Sequence, residues 1–354
     1  MNHSELRTKG SERKTSTLKH ILILYTGGTI GMMHDQRTHA LKPLDFKSIT
    51  EQIPELKHLN CKIDFHSSHK PIDSSNVQPA VWIELASVIQ KNYKKYDGFV
   101  ILHGTDTMSY TASALSFMFE HLSKPIILTG SQLPLGVIRT DAKRNLITTV
   151  EIAASKTIVP EVCIYFNNQL FRGNRAEKFK SNKFDAFQSP NYPLLAEAGT
   201  EIKFNIGSIR KSKTSKSKSK IPTFDTNVAL VRIYPGLSKE VLAATLSTKN
   251  LKAVILETYG SGNAPTDKWF IETLKKAIDS GVIILNVSQC SGGIVEQGKY
   301  ETSLQLKKIG VISGIDITRE AALTKLMFLL GQGLKKTDVE KLLKKDLRGE
   351  MSAI

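Results

Sequence analysis

Two short glycine–threonine motifs hold the residue types that acyl-transfer chemistry uses. Thr26-Gly27-Gly28-Thr29-Ile30-Gly31 follows the first apolar run, and His103-Gly104-Thr105-Asp106-Thr107-Met108 follows a later one. Adjacent glycines permit a tight turn with exposed backbone N–H groups. A threonine there has its hydroxyl beside amides that could hold an oxyanion. A neutral threonine is a weak nucleophile, so it needs a base or a relay. In the second motif Thr105 could position water or pass a proton, and Asp106 could accept an ammonium group. Each motif also has a plain structural reading. The first serves equally as a simple turn, and Thr105 or Asp106 could cap the helix that follows.

Other chemistries find no pattern to rest on. The glycines are not spaced G-x-G-x-x-G, no Gly-Lys-Ser/Thr follows them, and no G-x-S-x-G occurs in the chain. There is no C-x-x-C pair and no H-E-x-x-H, so neither a metal nor an organic cofactor is expected. All nine histidines lie at or before His121. His66 and His69 are spaced to reach one metal, but they read more simply as two solvated loop histidines. Cys61, Cys163 and Cys290 are odd in number and unpatterned, which argues against a disulfide framework.

The elements that must position these motifs alternate strand and helix. His20–Tyr25, Gly98–Leu102, Pro125–Leu128 and Glu161–Phe166 read as strands. Pro79–Tyr93, Met108–Leu122 and Asp141–Ser155 read as helices, the second apolar nearly all round and so buried. Such alternation predicts a mostly parallel sheet covered on both faces. Ligands of open sheets bind beyond the carboxyl ends of strands, where the threonine motifs fall. A Ser/Lys-rich stretch without periodicity then reads as an exposed linker. After it, strands at Ala229–Ile233, Leu251–Glu257 and Val282–Ser288 alternate with helices near Ser238–Leu246 and Asp267–Ser280. Helices near Arg319–Leu330 and Thr337–Leu347 close the chain. The expected division is an N-terminal α/β catalytic domain over 20–205, a basic linker over 206–225 and a smaller C-terminal α/β domain over 226–354.

A length of 354 residues with 40% apolar and 23% charged residues suits such a pair of cores. The net charge of +16 raises nucleic acid as a partner. The first twenty residues carry +3 and Arg210–Lys220 carries six bases and no acid, so only +7 is spread over the rest. Runs of that kind are usually solvated segments, and nucleic acid is not the expected partner. No apolar run approaches the ~20 residues that span a bilayer, and the first twenty residues lack the pattern of a secretory signal. A cytoplasmic protein without membrane contact is expected.

Taken together and in order, the motifs identify a family. The chain resembles the L-asparaginases, most closely the bacterial type I, cytosolic branch, from about His20 to Arg348. Besides the two threonine motifs, the resemblance is carried by Asp73-Ser74-Ser75, Thr129-Gly130-Ser131-Gln132, Phe171-Arg172-Gly173-Asn174-Arg175, Tyr259-Gly260-Ser261-Gly262-Asn263-Ala264-Pro265 and Leu347-Arg348-Gly349-Glu350. It implies an asparaginase-like α/β fold, a larger N-terminal domain with a mostly parallel Rossmann- or flavodoxin-like sheet plus a smaller C-terminal α/β domain. It implies an amidohydrolase that converts L-asparagine to L-aspartate and ammonia. Thr29 resembles the nucleophile that forms the acyl-enzyme. Thr105, Asp106 and Lys178 resemble the second catalytic group, with Lys178 placed by its spacing from Gly173-Asn174-Arg175. Without that match, Lys180 and Lys183 compete with it. Asp73, Ser74 and Ser75 resemble the loop that holds the substrate's α-carboxylate. Asn263 resembles a residue offered by a neighbouring subunit, which implies a homodimer or a dimer of dimers.

The sequence departs from its relatives at three places. Many carry a tyrosine in the loop after the nucleophile, whereas Met32–Pro43 holds none. Tyr300, after the Gln-Cys loop, is assigned instead as the base partner of Thr29, beside its reading as a structural tyrosine. Asn76 stands where aspartate is commoner. Glu177 and Glu257 are acidic where a regulatory asparagine site would have a neutral or basic lining, so weak or absent allostery is expected. Two rival readings remain: the amidase subunit of a tRNA-dependent amidotransferase, and a non-catalytic amino-acid-binding module.

Overall fold

A computed structural model describes residues 18–34, 41–43, 49, 51–211, 221–299 and 301–353. The first half of the chain builds one sheet. Its strands are Lys19–Gly27 (β1), Cys61–Ile72 (β4), Gly98–Leu102 (β5), Ile126–Thr129 (β6), Val162–Phe166 (β7), Gln169–Arg172 (β8), Ala196–Ala198 (β11) and Ile202–Phe204 (β12), in the order β12-β11-β8-β7-β6-β5-β1-β4. Small hairpins pair Met32–His34 (β2) with Leu41–Pro43 (β3), and Glu177–Lys178 (β9) with Phe187–Gln188 (β10). From β4 to β7 the pairing is parallel. Beyond β7 it turns antiparallel. The switch is a two-residue hairpin at Asn167 and Asn168, both at positive φ (46° and 69°), the turn hand that suits the twist of the flanking strands.

Alternation along the strands feeds two cores. Leu22, Leu24, Phe99, Ile101 and Leu128 face the helices Pro79–Asn92 (α1) and Met108–Met118 (α2). Ile21, Ile23, Val100, Leu102 and Ile127 face Ala142–Ala153 (α3). With both faces covered, the central strands are apolar throughout, as a buried parallel sheet demands. In α2 every residue except Tyr110 is buried. That helix ends at Met118 rather than at Leu122, because Phe119 is already extended on the way to β6.

The second half repeats the layering with Val228–Arg232 (β13), Ala253–Thr258 (β14), Ile283–Ser288 (β15) and Ile312–Ser313 (β16), all parallel. Lys239–Leu246 (α4), Lys268–Asp279 (α5) and Glu301–Lys308 (α6) supply residues to the core on one face. Arg319–Gly331 (α7) and Lys336–Leu343 (α8) cover the other. The halves meet where α2 packs on α7, with the Phe117 and Phe328 rings 5.9 Å apart. Phe224 wedges edge-on between Trp82 and Phe328. The ends of the Ser/Lys-rich stretch are anchored: Ile209 packs on one core and Ile221 on the other, and the Arg210 N–H donates to Glu161. Residues 212–220 lie outside the described residues.

Several elements differ from expectation. Residues 61–72 form a twelve-residue edge strand, so His66 is not a loop histidine but a strand residue opposite Leu24. The antiparallel extension and α6 carry no periodic signal, since their runs of two to eight residues are too short to show one. The last helix stops at Leu343 rather than Leu347, because the following carbonyls serve a buried lysine. Lys325 donates to the carbonyl oxygens of Leu343 and Lys345 and forms a 2.6 Å ion pair with Glu350, neither side chain having any exposure. Glu350 in turn accepts from the backbone N–H groups of Leu347 and Arg348.

Breaking one side of a buried pair leaves the other charge uncompensated, which costs about 3–5 kcal/mol. Glu350→Gln should therefore lower the urea midpoint by the equivalent of that loss with an unchanged m-value. A midpoint within error of wild type would show that the pair contributes nothing.

Candidate active site

The site gathers where β1, β5 and β6 end, and glycine lets their loops touch. A Cβ on Gly28 would lie 2.4 Å from the backbone nitrogen of Gly104, and one on Gly104 would lie 2.5 Å from Ser74 Oγ. No side-chain carbon tolerates such distances. Gly28 also sits at φ 84°, where other residues are strained. Three loops distant in sequence are thus packed together, Gly28 against the backbone of Gly104 and Gly104 against the side chain of Ser74. Thr29 follows Gly28 and Thr105 follows Gly104, so the contact between the two glycines brings the threonine-bearing loops side by side.

Thr29 begins a single 3-10 turn, Thr29–Gly31, and is half-buried. Beneath the turn lies Tyr25, whose hydroxyl donates to the Gly31 carbonyl at 3.0 Å. Burial pushes that phenol up to about 12, so it stays a neutral donor. Thr26 ties the turn to the neighbouring strand end through a 2.9 Å hydrogen bond to the Leu102 carbonyl.

Thr105, Asp106 and Lys178 come together. Lys178 Nζ donates to Thr105 Oγ1 at 2.7 Å and to Asp106 Oδ1 at 2.7 Å. The lysine side chain is 16% exposed and the aspartate 64%, so the ammonium is held inward and the carboxylate faces solvent. The β9–β10 hairpin presents the lysine, Lys178 standing opposite Phe187. Of the competing lysines, Lys180 is paired with Asp185 and Lys183 is exposed. Thr105 donates onward to Gln132 Oε1 at 3.4 Å. The Gln132 amide is fixed in turn by its donation to the carbonyls of Ser181 and Lys183. The capping reading of this motif is corrected. The residue at the cap position of α2 is Thr107, without a side-chain cap bond, and its hydroxyl goes instead to the Ser74 carbonyl at 2.7 Å. Lys178 engages Thr105 and Asp106, so neither caps the helix.

Ser74 is buried in a 3-10 turn capped by Asp73. Asp73 accepts from both the N–H and the hydroxyl of Ser75, and those bonds hold its carboxyl below the usual range. Asn263 lies in the loop after β14, where it forms an antiparallel bridge with Tyr259. Tyr300 lies outside the described residues. Glu177 accepts from Gln188 Nε2 at 2.7 Å and from the Ser291 hydroxyl. Glu257, 1% exposed, is paired with Arg319 and Arg232. Among the described residues no cluster of three His, Cys, Asp or Glu side chains could hold a metal, and no helix is long and apolar enough to cross a membrane.

A second set of residues escaped sequence reasoning. His103 is 1% exposed beneath the Thr105 loop. Its Nδ1 lies 2.7 Å from the Gly104 carbonyl oxygen, which can only accept, so Nδ1 carries the proton. Nε2 then accepts from the Thr111 hydroxyl at 2.9 Å, and Trp82 Nε1 donates to that hydroxyl oxygen at 3.1 Å. This chain of bonds orients the Gly104–Thr105 peptide. Gln132 was visible only as part of a motif, and His103 only as the residue before a glycine.

Fold and site together define a two-sheet α/β protein with a lysine-assisted hydroxyl site at its strand ends. The chain belongs to the asparaginase family: the models for the asparaginase N-terminal domain and the glutaminase/asparaginase C-terminal domain match residues 20–210 and 227–343. L-asparaginase 1 of Escherichia coli (strain K12) is 41% identical over 351 residues, covering 94% of this chain and 98% of that protein. The crystal structure of L-asparaginase I from Vibrio cholerae superposes with a TM-score of 0.87 at 43% identity, covering 95% of this chain and all of that one. A glutamyl-tRNA(Gln) amidotransferase subunit of Pyrococcus abyssi is 33% identical over 352 residues, covering 95% of this chain and 77% of that protein. The fold is asparaginase-like, with its mostly parallel N-terminal sheet and a separate parallel C-terminal sheet.

Burial holds the His103 imidazole neutral, its pKa pushed down from 6.5 to about 4. Between those values the unfolded chain binds a proton that the native state does not, so stability is complete above the upper value and is lost as pH falls toward the lower. The urea midpoint should drop between about pH 7 and about pH 5, and drop less in His103→Gln. Equal drops in the two proteins would show that His103 is not the group responsible.

Proposed function

We propose that the chain hydrolyses the side-chain amide of L-asparagine to L-aspartate and ammonia through a threonyl acyl-enzyme. The observation that carries this reading is Lys178 Nζ held 2.7 Å from both Thr105 Oγ1 and Asp106 Oδ1, on a loop whose Gly104 packs against Gly28, the residue before Thr29. The substrate's α-carboxylate docks on the Asp73-Ser74-Ser75 loop. Its ammonium meets Asp106, whose Oδ1 is engaged by Lys178 and whose Oδ2 is left for it. Thr29 Oγ1 bonds to the amide carbon and backbone N–H groups hold the oxyanion. Collapse breaks the C–N bond, and the proton given up by the Thr29 hydroxyl leaves on the ammonia. Water then attacks the ester, activated through Thr105 and Lys178, and Thr29 recovers its hydroxyl as aspartate departs. A lysine beside a hydroxyl favours the alkoxide and shifts its own proton.

The finer roles belong to the same proposal. Tyr300 assists Thr29 as its base partner. Asn263 completes the site of a neighbouring subunit, so the working form is a homodimer or a dimer of dimers. The domains act as divided above, with catalysis in 20–205. Three free thiols, Cys163 among them fully buried, fit a reducing cytoplasm. The partners already engaged by Glu177 and Glu257 support weak or absent regulation by a second asparagine. The kinship to an amidotransferase keeps one rival open, and salt-dependent retention of tRNA would favour it. A binding module has no use for a lysine held against a threonine hydroxyl.

Loss of an activated nucleophile usually costs on the order of 10³ or more in rate. Thr29→Ala should lose that much ammonia release from asparagine while keeping its thermal transition. Retention of more than about a tenth of the activity excludes Thr29 as nucleophile. The rate should rise hyperbolically with asparagine; a sigmoidal curve that straightens on Glu257→Ala would establish the regulatory site.

A further inference from the structure

Arg175 is among the largest fully buried side chains of the protein, at 2% exposure, and it lies three residues before Lys178. Its Nη1 forms a 2.9 Å ion pair with Asp316 Oδ2, and its Nε donates to the Gly349 carbonyl at 2.7 Å. Both partners belong to the C-terminal half. Asp316 is itself fixed by the N–H and hydroxyl of Ser352, at 2.7 and 2.6 Å. Its backbone carbonyl takes a further 3.0 Å hydrogen bond from Asn191 Nδ2. One residue therefore grips the lysine-bearing segment on both sides, Arg175 before β9 and Asn191 after β10. Between the two grips, Glu177 accepts from Ser291 of the same half.

A second observation falls on the same spot. Ile315, next to Asp316, is held at φ 59°, a left-handed conformation that a β-branched residue adopts only under constraint. The bonds that impose it are Ile315 N–H to Ser313 Oγ at 3.1 Å and Val295 N–H to the Ile315 carbonyl at 2.7 Å. Strain of this kind persists where surrounding structure over-determines the backbone, commonly at functional sites. Here it aims a buried carboxylate across the junction between the halves.

We propose that Arg175 is a positioning residue for Lys178: clamped to Asp316 and the Gly349 carbonyl, it sets where the β9–β10 hairpin delivers the lysine amine to Thr105. The proposal rests on the reading of Lys178 as the group that activates Thr105. It gives the C-terminal half a part in the chemistry of its own chain.

The test is a double-mutant cycle on ammonia release from asparagine, with wild type, Asp316→Asn, Lys178→Ala and the pair, each checked for a cooperative thermal transition. Asp316→Asn should lower kcat about tenfold with KM changed less than about threefold, and add no loss in the Lys178→Ala background. A merely structural role lowers both backgrounds by the same factor, and that result overturns the proposal, as does full activity in Asp316→Asn. Wild-type activity in Lys178→Ala would instead sink the reading of the lysine, and the proposal with it. Should Asp316→Asn not fold, Ser352→Ala runs the same cycle with Arg175 still paired. A loss of about threefold that vanishes without Lys178 supports the clamp, and an equal loss in both backgrounds rejects it.

Discussion

The site depends on contacts close enough to exclude a side-chain carbon. The Gly28 backbone lies against that of Gly104, and Gly104 against the side chain of Ser74. Those contacts join the ends of the first strand, the third strand of the parallel set and the turn after the edge strand. Without them the threonines would stand at separate strand ends, each with its own solvent. With them, the two threonine-bearing loops and the serine turn are packed against one another. The parallel sheet supplies the alignment, because all its strand ends face the same way.

Around that contact the protein arranges buried polar groups. His103, Thr111 and Trp82 form a bonded series under the Thr105 loop, with the tautomer dictated by a carbonyl acceptor. Gln132 closes the other side of Thr105. Buried polar groups are tolerable only when paired, and once paired they rigidify their surroundings. The lysine arrives from elsewhere, on a short hairpin that the C-terminal half holds through Asp316 and Ser291. The position of the lysine hairpin is therefore tied to both halves, although the candidate groups sit in one.

Much of the fold is legible in the chain. Gly98–Leu102 reads with its observed bounds, and most other strands and helices within one or two residues. Their signal is local: an apolar run with turn residues at its ends. Cys61–Ile72 escapes because it mixes Lys62, Asp64 and His66 into its alternation, as an edge strand permits. The antiparallel extension follows the Asn167-Asn168 turn, and its strands are too short to show a period of their own. Helix capping by the Thr105 motif fails for another reason. Capping is a local preference, and here distant partners, Lys178 and the Ser74 carbonyl, compete successfully for the same side chains.

By itself the sequence determined which residues have reactive groups, which strand ends display them, and the family to which the order of motifs belongs. Each of those follows from neighbours in the chain. The family resemblance singled out Lys178, but only the tertiary structure shows that it, and not Lys180 or Lys183, meets Thr105, 73 positions away, and that Arg175 is buried against Asp316, 141 positions away. No local pattern encodes such pairs. They form because the fold brings both partners to one place, and for Arg175 and Asp316 buries them where an unpaired charge would be too unfavourable to keep.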